Sequence, residues 1–128
     1  MIVDATGRVL LEAENSVVTG RDVAGHAELN VVRAAAAQLG PAVLEGATLY
    51  TSTEPCAMCS GAIYWAGIGR VVFALGGEEL NAIVEDVPGV PTLALSCREV
   101  FARGGREVEV SGPHLFDEAT AVHDGFWS

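Results

Sequence analysis

Two short clusters of residues could carry chemistry in this chain. His26 and Glu28 stand two apart, and Cys56 and Cys59 stand three apart within Pro55-Cys56-Ala57-Met58-Cys59, about thirty residues downstream. Two thiolates and one neutral imidazole are an ordinary zinc donor set. Three protein ligands leave a fourth position open for water, which separates a catalytic zinc from a structural one. Cysteines three apart at the start of a helix point both sulfurs to one side within a turn. The same helix N-terminus favours thiolate, the form that binds metal. Glu28, on the first turn of another helix, points away from the ligand direction of His26 yet stays within reach of water at the metal. It is placed to be a proton shuttle in a metal-assisted hydrolysis, taking a proton from water and passing it to a leaving group.

A zinc that only staples the fold needs a fourth protein ligand. Cys97, His114 and His123 are the remaining cysteine and histidines, and none belongs to a second paired motif. Cys97 reads as a small buried hydrophobe.

The clusters must be held by a scaffold, and the chain supplies one. Met1–Asp4 reads as the end of a strand, Asp4-Ala5-Thr6-Gly7 as a turn and Arg8–Asn15 as a second strand, together a hairpin. Gly25–Leu39 is an alanine-rich helix, stopped by Gly40-Pro41. Ala47–Thr51 is β-prone. Pro55 opens a second helix and Gly67 closes it, and Arg70–Leu75 is a buried strand. Strand, helix and strand from Thr48 to Leu75 predict a parallel pair with a right-handed crossover. Gly76–Pro91 has mixed signals and reads mostly as loop. Ser96-Cys97-Arg98-Glu99 has capping-box spacing and starts a short helix ending at Gly104-Gly105. Arg106–Val110 alternates like an edge strand. His114–Phe126 carries Leu115, Ala119, Val122 and Phe126 at helical spacing.

The chain has 128 residues, half of them hydrophobic, which fits one α/β domain with a genuine core. No stretch approaches the ~20 apolar residues of a membrane span, and no secretory leader is visible. A cytoplasmic protein is the expectation. Seven basic residues, all arginine, face 17 acidic ones for a net charge of -10. Polyanions are repelled by such a surface, which argues against tRNA or duplex DNA and for a small molecule.

From Gly25 onward the chain resembles the cytidine-deaminase-like superfamily, in its nucleobase and nucleoside branch. The resemblance rests on His26-Ala27-Glu28 with Pro55-Cys56-Ala57-Met58-Cys59, and extends over TLYTSTEPCAMCSGAIYWAGIGRVVFAL, Thr48–Leu75. Gly61-Ala62-Ile63-Tyr64-Trp65-Ala66 looks most like bacterial guanine deaminases. Bacterial tRNA adenosine deaminases share Glu54-Pro55-Cys56-Ala57-Met58-Cys59.

The resemblance implies a three-layer α/β/α fold around a five-stranded mixed sheet. It implies one Zn2+ per chain on His26, Cys56 and Cys59, with Glu28 as the catalytic proton shuttle. The implied reaction is hydrolytic deamination of a free nucleobase or related amino-heterocycle, guanine-like first. A tRNA adenosine deaminase and a cytosine-type deaminase are the alternatives, and a non-catalytic zinc scaffold is the alternative of another class.

Asn15 matches the position where relatives read the base with an amide, and the Ala27 N–H would meet a base carbonyl. As a bare residue, Asn15 also suits the turn after a strand. Trp65 could stack on a base or pack in the core. Asp124 and Phe126 correspond to the tail where relatives close the pocket, though a helix-end aromatic also packs on a core. Relatives carry an N-terminal helix and a fuller first strand before Ile2-Val3-Asp4. Without them one sheet face is less covered, which favours a homodimer.

Overall fold

The computed structural model describes residues 1–127. A hairpin, β1 (Ile2–Val3) and β2 (Val9–Leu11), is followed by helices α1 (Ala27–Gln38) and α2 (Pro41–Glu45). Strand β3 (Thr48–Thr53), helix α3 (Ala57–Ala66) and strand β4 (Arg70–Leu75) come next, then α4 (Gly77–Val84) and α5 (Cys97–Ala102). Strand β5 (Glu109–Ser111) and helix α6 (Phe116–Ala121) complete the described chain. The sheet order is β2-β1-β3-β4-β5, with β1 antiparallel to both neighbours and β3, β4 and β5 mutually parallel. This is the five-stranded mixed sheet of an α/β fold.

Alternation in β4 places Val71, Phe73 and Leu75 on the buried side. Their register partners Leu49, Thr51 and Thr53 on β3 share that face. Helix α3 packs against both α1 and α5. Val31, Val32 and Ala35 of α1, Ile63 of α3 and Phe101 of α5 join Leu49, Val71 and Phe73 in one buried cluster. Tyr50, 40% exposed, and Ser52 mark the opposite face as lightly covered. Helix α6 contacts β4, and its buried Ala119 stands outside the main cluster.

Several boundaries differ from the sequence expectation for physical reasons. The hairpin turns as expected on Asp4, whose carboxylate accepts hydrogen bonds from the Thr6 hydroxyl at 2.7 Å and from the Thr6 and Arg8 N–H at 2.9 and 3.0 Å. Led by the Thr6 hydroxyl, these bonds hold its carboxyl below the usual carboxylate range. The strand expected over Arg8–Asn15 stops at Leu11, and turns follow from Val17. Asn30, one turn into α1, donates its side-chain amide to the Glu14 carbonyl and the Ser16 hydroxyl at 3.0 and 2.9 Å, tying that loop to the helix.

Gly40 is not a left-handed C-cap of α1. Its backbone is extended, and it caps the start of α2 with Pro41 as the first helical residue. Pro55 likewise lies just outside α3, whose N-cap is Cys56, while Gly67 closes the helix in the left-handed conformation as expected. Ser96 caps α5 through its hydroxyl, 3.1 Å from the Glu99 N–H.

The expected strand over Arg106–Val110 begins only at Glu109. Arg106 is drawn inward instead, donating to the carbonyls of Ile63, Tyr64 and Ile68 at 3.1, 2.7 and 2.9 Å. It thereby satisfies carbonyls left open where α3 ends. Helix α4 occupies part of the segment read as loop. The helix read over His114–Phe126 shrinks to Phe116–Ala121. Of its four apolar stripe residues, Ala119 is buried, whereas Leu115, Val122 and Phe126 are exposed.

Candidate metal centre

Helices α1 and α3 pack side by side, which brings their N-termini together. His26 is the N-cap of α1, Cys56 is the N-cap of α3, and Cys59 lies in the first turn of α3. The His26 Nδ1 sits 3.5 Å from the Cys56 Sγ and 3.6 Å from the Cys59 Sγ. All three ligand atoms lie within 4.8 Å of one another.

A tetrahedral ion with bonds of ~2.3 Å to sulfur and ~2.0 Å to nitrogen separates those two donor atoms by about 3.5 Å. The observed spacings match, so the donor set fits zinc in both chemistry and geometry. The Cys59 thiol bonds to the Cys56 thiolate, which draws Cys56 down to about 5 and pushes Cys59 above the usual thiol range.

Among the described residues, no other cysteine or histidine joins this cluster. Cys97 is fully buried, and burial, reinforced by the facing Glu54 carboxylate, pushes its thiol up to about 12. It is the buried hydrophobe the sequence suggested. His114 pairs with the Ser111 hydroxyl, and His123 Nδ1 accepts from the Trp127 indole. A three-ligand site is what the described residues form.

Glu28 follows His26 on the first turn of α1 and stands outside the donor cluster. Burial pushes its carboxyl above the usual carboxylate range, against the opposing pull of its hydrogen bonds. Its Oε1 lies 3.1 Å from the Thr51 hydroxyl, which is also 3.0 Å from the Thr53 carbonyl. One hydroxyl carries one proton and two lone pairs. Thr51 can therefore donate to an ionised Glu28, or accept from a protonated Glu28 while donating to Thr53.

Sequence reasoning missed Thr51. The signal available was a polar residue on the inward face of a strand leading into the cysteine motif. Thr51→Val is expected to slow turnover about tenfold, the equivalent of one charge-assisted hydrogen bond of ~1.5 kcal/mol. Thr51→Ser is expected to restore the rate. Equal rates for the valine variant and the parent would remove Thr51 from the site.

Two cavities flank the cluster. One, about 150 Å³, is lined by Ala27, Glu28, Val31, Tyr50 and Thr51. The other, about 210 Å³, opens on Cys56 and is walled by Glu78, Leu80, Asn81, Leu93 and Leu95. Ala27 lines the smaller of the two. Asn15 is exposed, and its Oδ1 accepts the Val17 N–H at 3.0 Å in a local turn. Trp65 is 84% exposed, set edge-to-face against Tyr64, and lines neither cavity. Asp124 and Phe126 line neither cavity as well, and Phe126 packs edge-to-face on Trp127. No helix among the described residues is long and apolar enough to cross a membrane.

Comparison with known proteins points to one family. A model of the cytidine and deoxycytidylate deaminase zinc-binding region matches residues 1–75. The chain is 42% identical over 127 residues to a probable cytosine deaminase of Schizosaccharomyces pombe, covering 99% of this chain and 76% of that protein. It is 46% identical over 68 residues to a guanine deaminase of Bacillus subtilis, covering 53% of this chain and 44% of that protein. A solved structure from a study of A-to-I editing by tRNA:A34 deaminases superposes with a TM-score of 0.67 at 30% identity, covering 94% of this chain and 80% of that one.

Proposed function

Because this chain belongs to the cytidine and deoxycytidylate deaminase zinc-binding family, and is a zinc deaminase of it, we propose that it releases ammonia from a free nucleobase or related small amino-heterocycle, guanine-like first. The observation that carries this reading is the convergence of three ligands with a carboxylate that is not one of them. His26, Cys56 and Cys59 would hold the zinc, which would supply Lewis acidity to activate water at neutral pH.

The remaining steps belong to the protein. Glu28 takes a proton from the attacking water as the ring carbon bearing the amine gains oxygen. It hands a proton to the neighbouring ring nitrogen and then helps the amine depart as ammonia. Thr51 keeps the Glu28 carboxyl oriented in either protonation state. The Ala27 N–H, beside Glu28, is positioned to meet a carbonyl on the ring. The rest of the ring extends into the cavity at Cys56, where Leu80, Leu93 and Leu95 supply apolar surface and Asn81 and Glu78 supply polar atoms.

The net charge of -10 and the absence of lysine support a small substrate over tRNA. A cytosine-type substrate is the second reading, favoured by the similarity to the fission-yeast protein along nearly the whole chain. The test is a panel of guanine, adenine, cytosine, their nucleosides and s-triazines, assayed for ammonia with the zinc-loaded protein. Guanine turnover exceeding all others is expected. Cytosine turnover without guanine turnover replaces the first reading by the second, and salt-sensitive tRNA binding with adenosine turnover overturns both. Silence across the panel, with a fourth protein ligand on the zinc, leaves a scaffold.

A further inference from the structure

We propose that Glu54 is a positioning residue for the substrate, clamping the two helices that wall the cavity at Cys56 to the loop that carries Cys56 itself. Glu54 directly follows β3, two residues before the metal ligand, and its own N–H donates to the Leu75 carbonyl at 2.7 Å. Its two carboxylate oxygens then reach two separate elements. Oε1 accepts the N–H of Gly77, the first residue of α4, at 2.9 Å, and Oε2 accepts the N–H of Cys97, the first residue of α5, also at 2.9 Å.

The partners are 23 and 43 residues away in sequence, so the bonds fix tertiary arrangement rather than local shape. Both N–H groups are among those that a helix start cannot satisfy internally. A carboxylate meets them with charge-assisted bonds and with favourable alignment to the helix dipole. Helix α4 has no side-chain cap of its own from Gly76, which leaves Glu54 as the group that anchors its start.

What these bonds hold is the cavity wall. Glu54, Gly77, Glu78, Leu80 and Asn81 line the space on one side, and Ser96 and Glu99 at the start of α5 line it on another. The zinc donors face one another at the starts of α1 and α3, and Glu28 is held by Thr51, so neither is hydrogen-bonded to α4 or α5. Glu54 therefore sets how far the substrate-facing wall stands from the metal centre, while the reacting groups keep their geometry. The inference rests on the proposal that the ring extends into this cavity.

The experiment uses the zinc-loaded full chain and Glu54→Gln. Glutamine keeps the shape and one accepting oxygen, but it turns an NH2 group toward the other helix N–H, so one clamp bond is lost. With the best base of the panel as substrate, KM is expected to rise about tenfold while kcat stays within about threefold, reflecting one lost charge-assisted hydrogen bond outside the reacting groups. Zinc is expected to remain at one per chain. Amide hydrogen exchange is expected to accelerate at Gly77 or Cys97 and to stay unchanged along α1. Exchange is read without substrate, so it tests the clamp separately from the substrate reading.

Accelerated exchange with an unchanged KM would mean that the clamp holds helices but positions no substrate, and the proposal fails. Unchanged exchange at both amides removes the clamp. Loss of zinc would show Glu54 acting through the metal loop instead. A parent protein that turns over no base in the panel sinks the substrate reading, and with it the positioning role, whatever the exchange shows.

Discussion

Glu28→Gln is expected to lose ammonia release by about 10²–10⁴-fold, the usual contribution of a positioned general acid–base, while one zinc per chain stays bound. The substitution isolates proton transfer because so little else changes. Glutamine has the same length, and its carbonyl oxygen can still accept from the Thr51 hydroxyl that lies 3.1 Å from the native carboxylate. It cannot take up a proton from water or deliver one to a ring nitrogen. The donor set of His26, Cys56 and Cys59 does not include Glu28, so metal content should not follow activity. Burial, which raises the Glu28 carboxyl, brings its two protonation states closer in energy at neutral pH and suits a group that must carry a proton back and forth. Ammonia release and zinc content by atomic absorption, measured on one preparation, decide the matter. Retained turnover removes Glu28 from the mechanism, and parallel loss of zinc would make it a metal-site residue.

The centre was legible in the sequence because its information is local. A histidine and a glutamate two apart and two cysteines three apart read the same on paper as in space, once each pair opens a helix. Arg70–Leu75 was equally legible, since its alternation is the burial pattern of a strand with one covered face. What the sequence hid depends on partners far along the chain. Helix α4 looked like loop because its start is a glycine pair and its anchoring carboxylate is Glu54, 23 residues earlier. The start of β5 was misplaced because the Arg106 side chain, which looked like the polar half of an edge-strand alternation, turns inward to the end of α3. Trp65 shows a further limit. Helix α3 is apolar over most of its length, so no periodicity told which side faces the core, and Trp65 is on the side that does not. Thr51 was overlooked because a threonine in a β-prone run is ordinary until the residue it faces is known.

Chelating the zinc is expected to leave the chain folded but to lower its Tm substantially, and Cys59→Ala is expected to make the protein indifferent to zinc. The apo fold survives because α1 and α3 are joined by more than the metal. Val31 and Val32 of α1 and Ile63 of α3 lie in the same buried cluster with Leu49, Val71 and Phe73. At free zinc about a thousand times the dissociation constant, binding stabilises the folded state by ~4 kcal/mol. Losing that from a domain of this length should cost roughly 10–20 °C in Tm. Cys59 is the sharpest place to test the link because its side chain is fully buried in the first turn of α3, at the junction with His26 on α1. Alanine there removes a ligand that neither Cys97 nor a histidine stands near enough to replace, so added zinc should no longer raise Tm and ammonia release should vanish. Thermal melts of the parent and Cys59→Ala, with zinc and with chelator, separate the two contributions. The difference between the apo proteins reports the packing lost at Cys59, and the zinc-dependent shift in the parent reports the metal. A parent whose melting is unmoved by chelator, with zinc verified absent, would break the coupling between the metal centre and the α1–α3 junction.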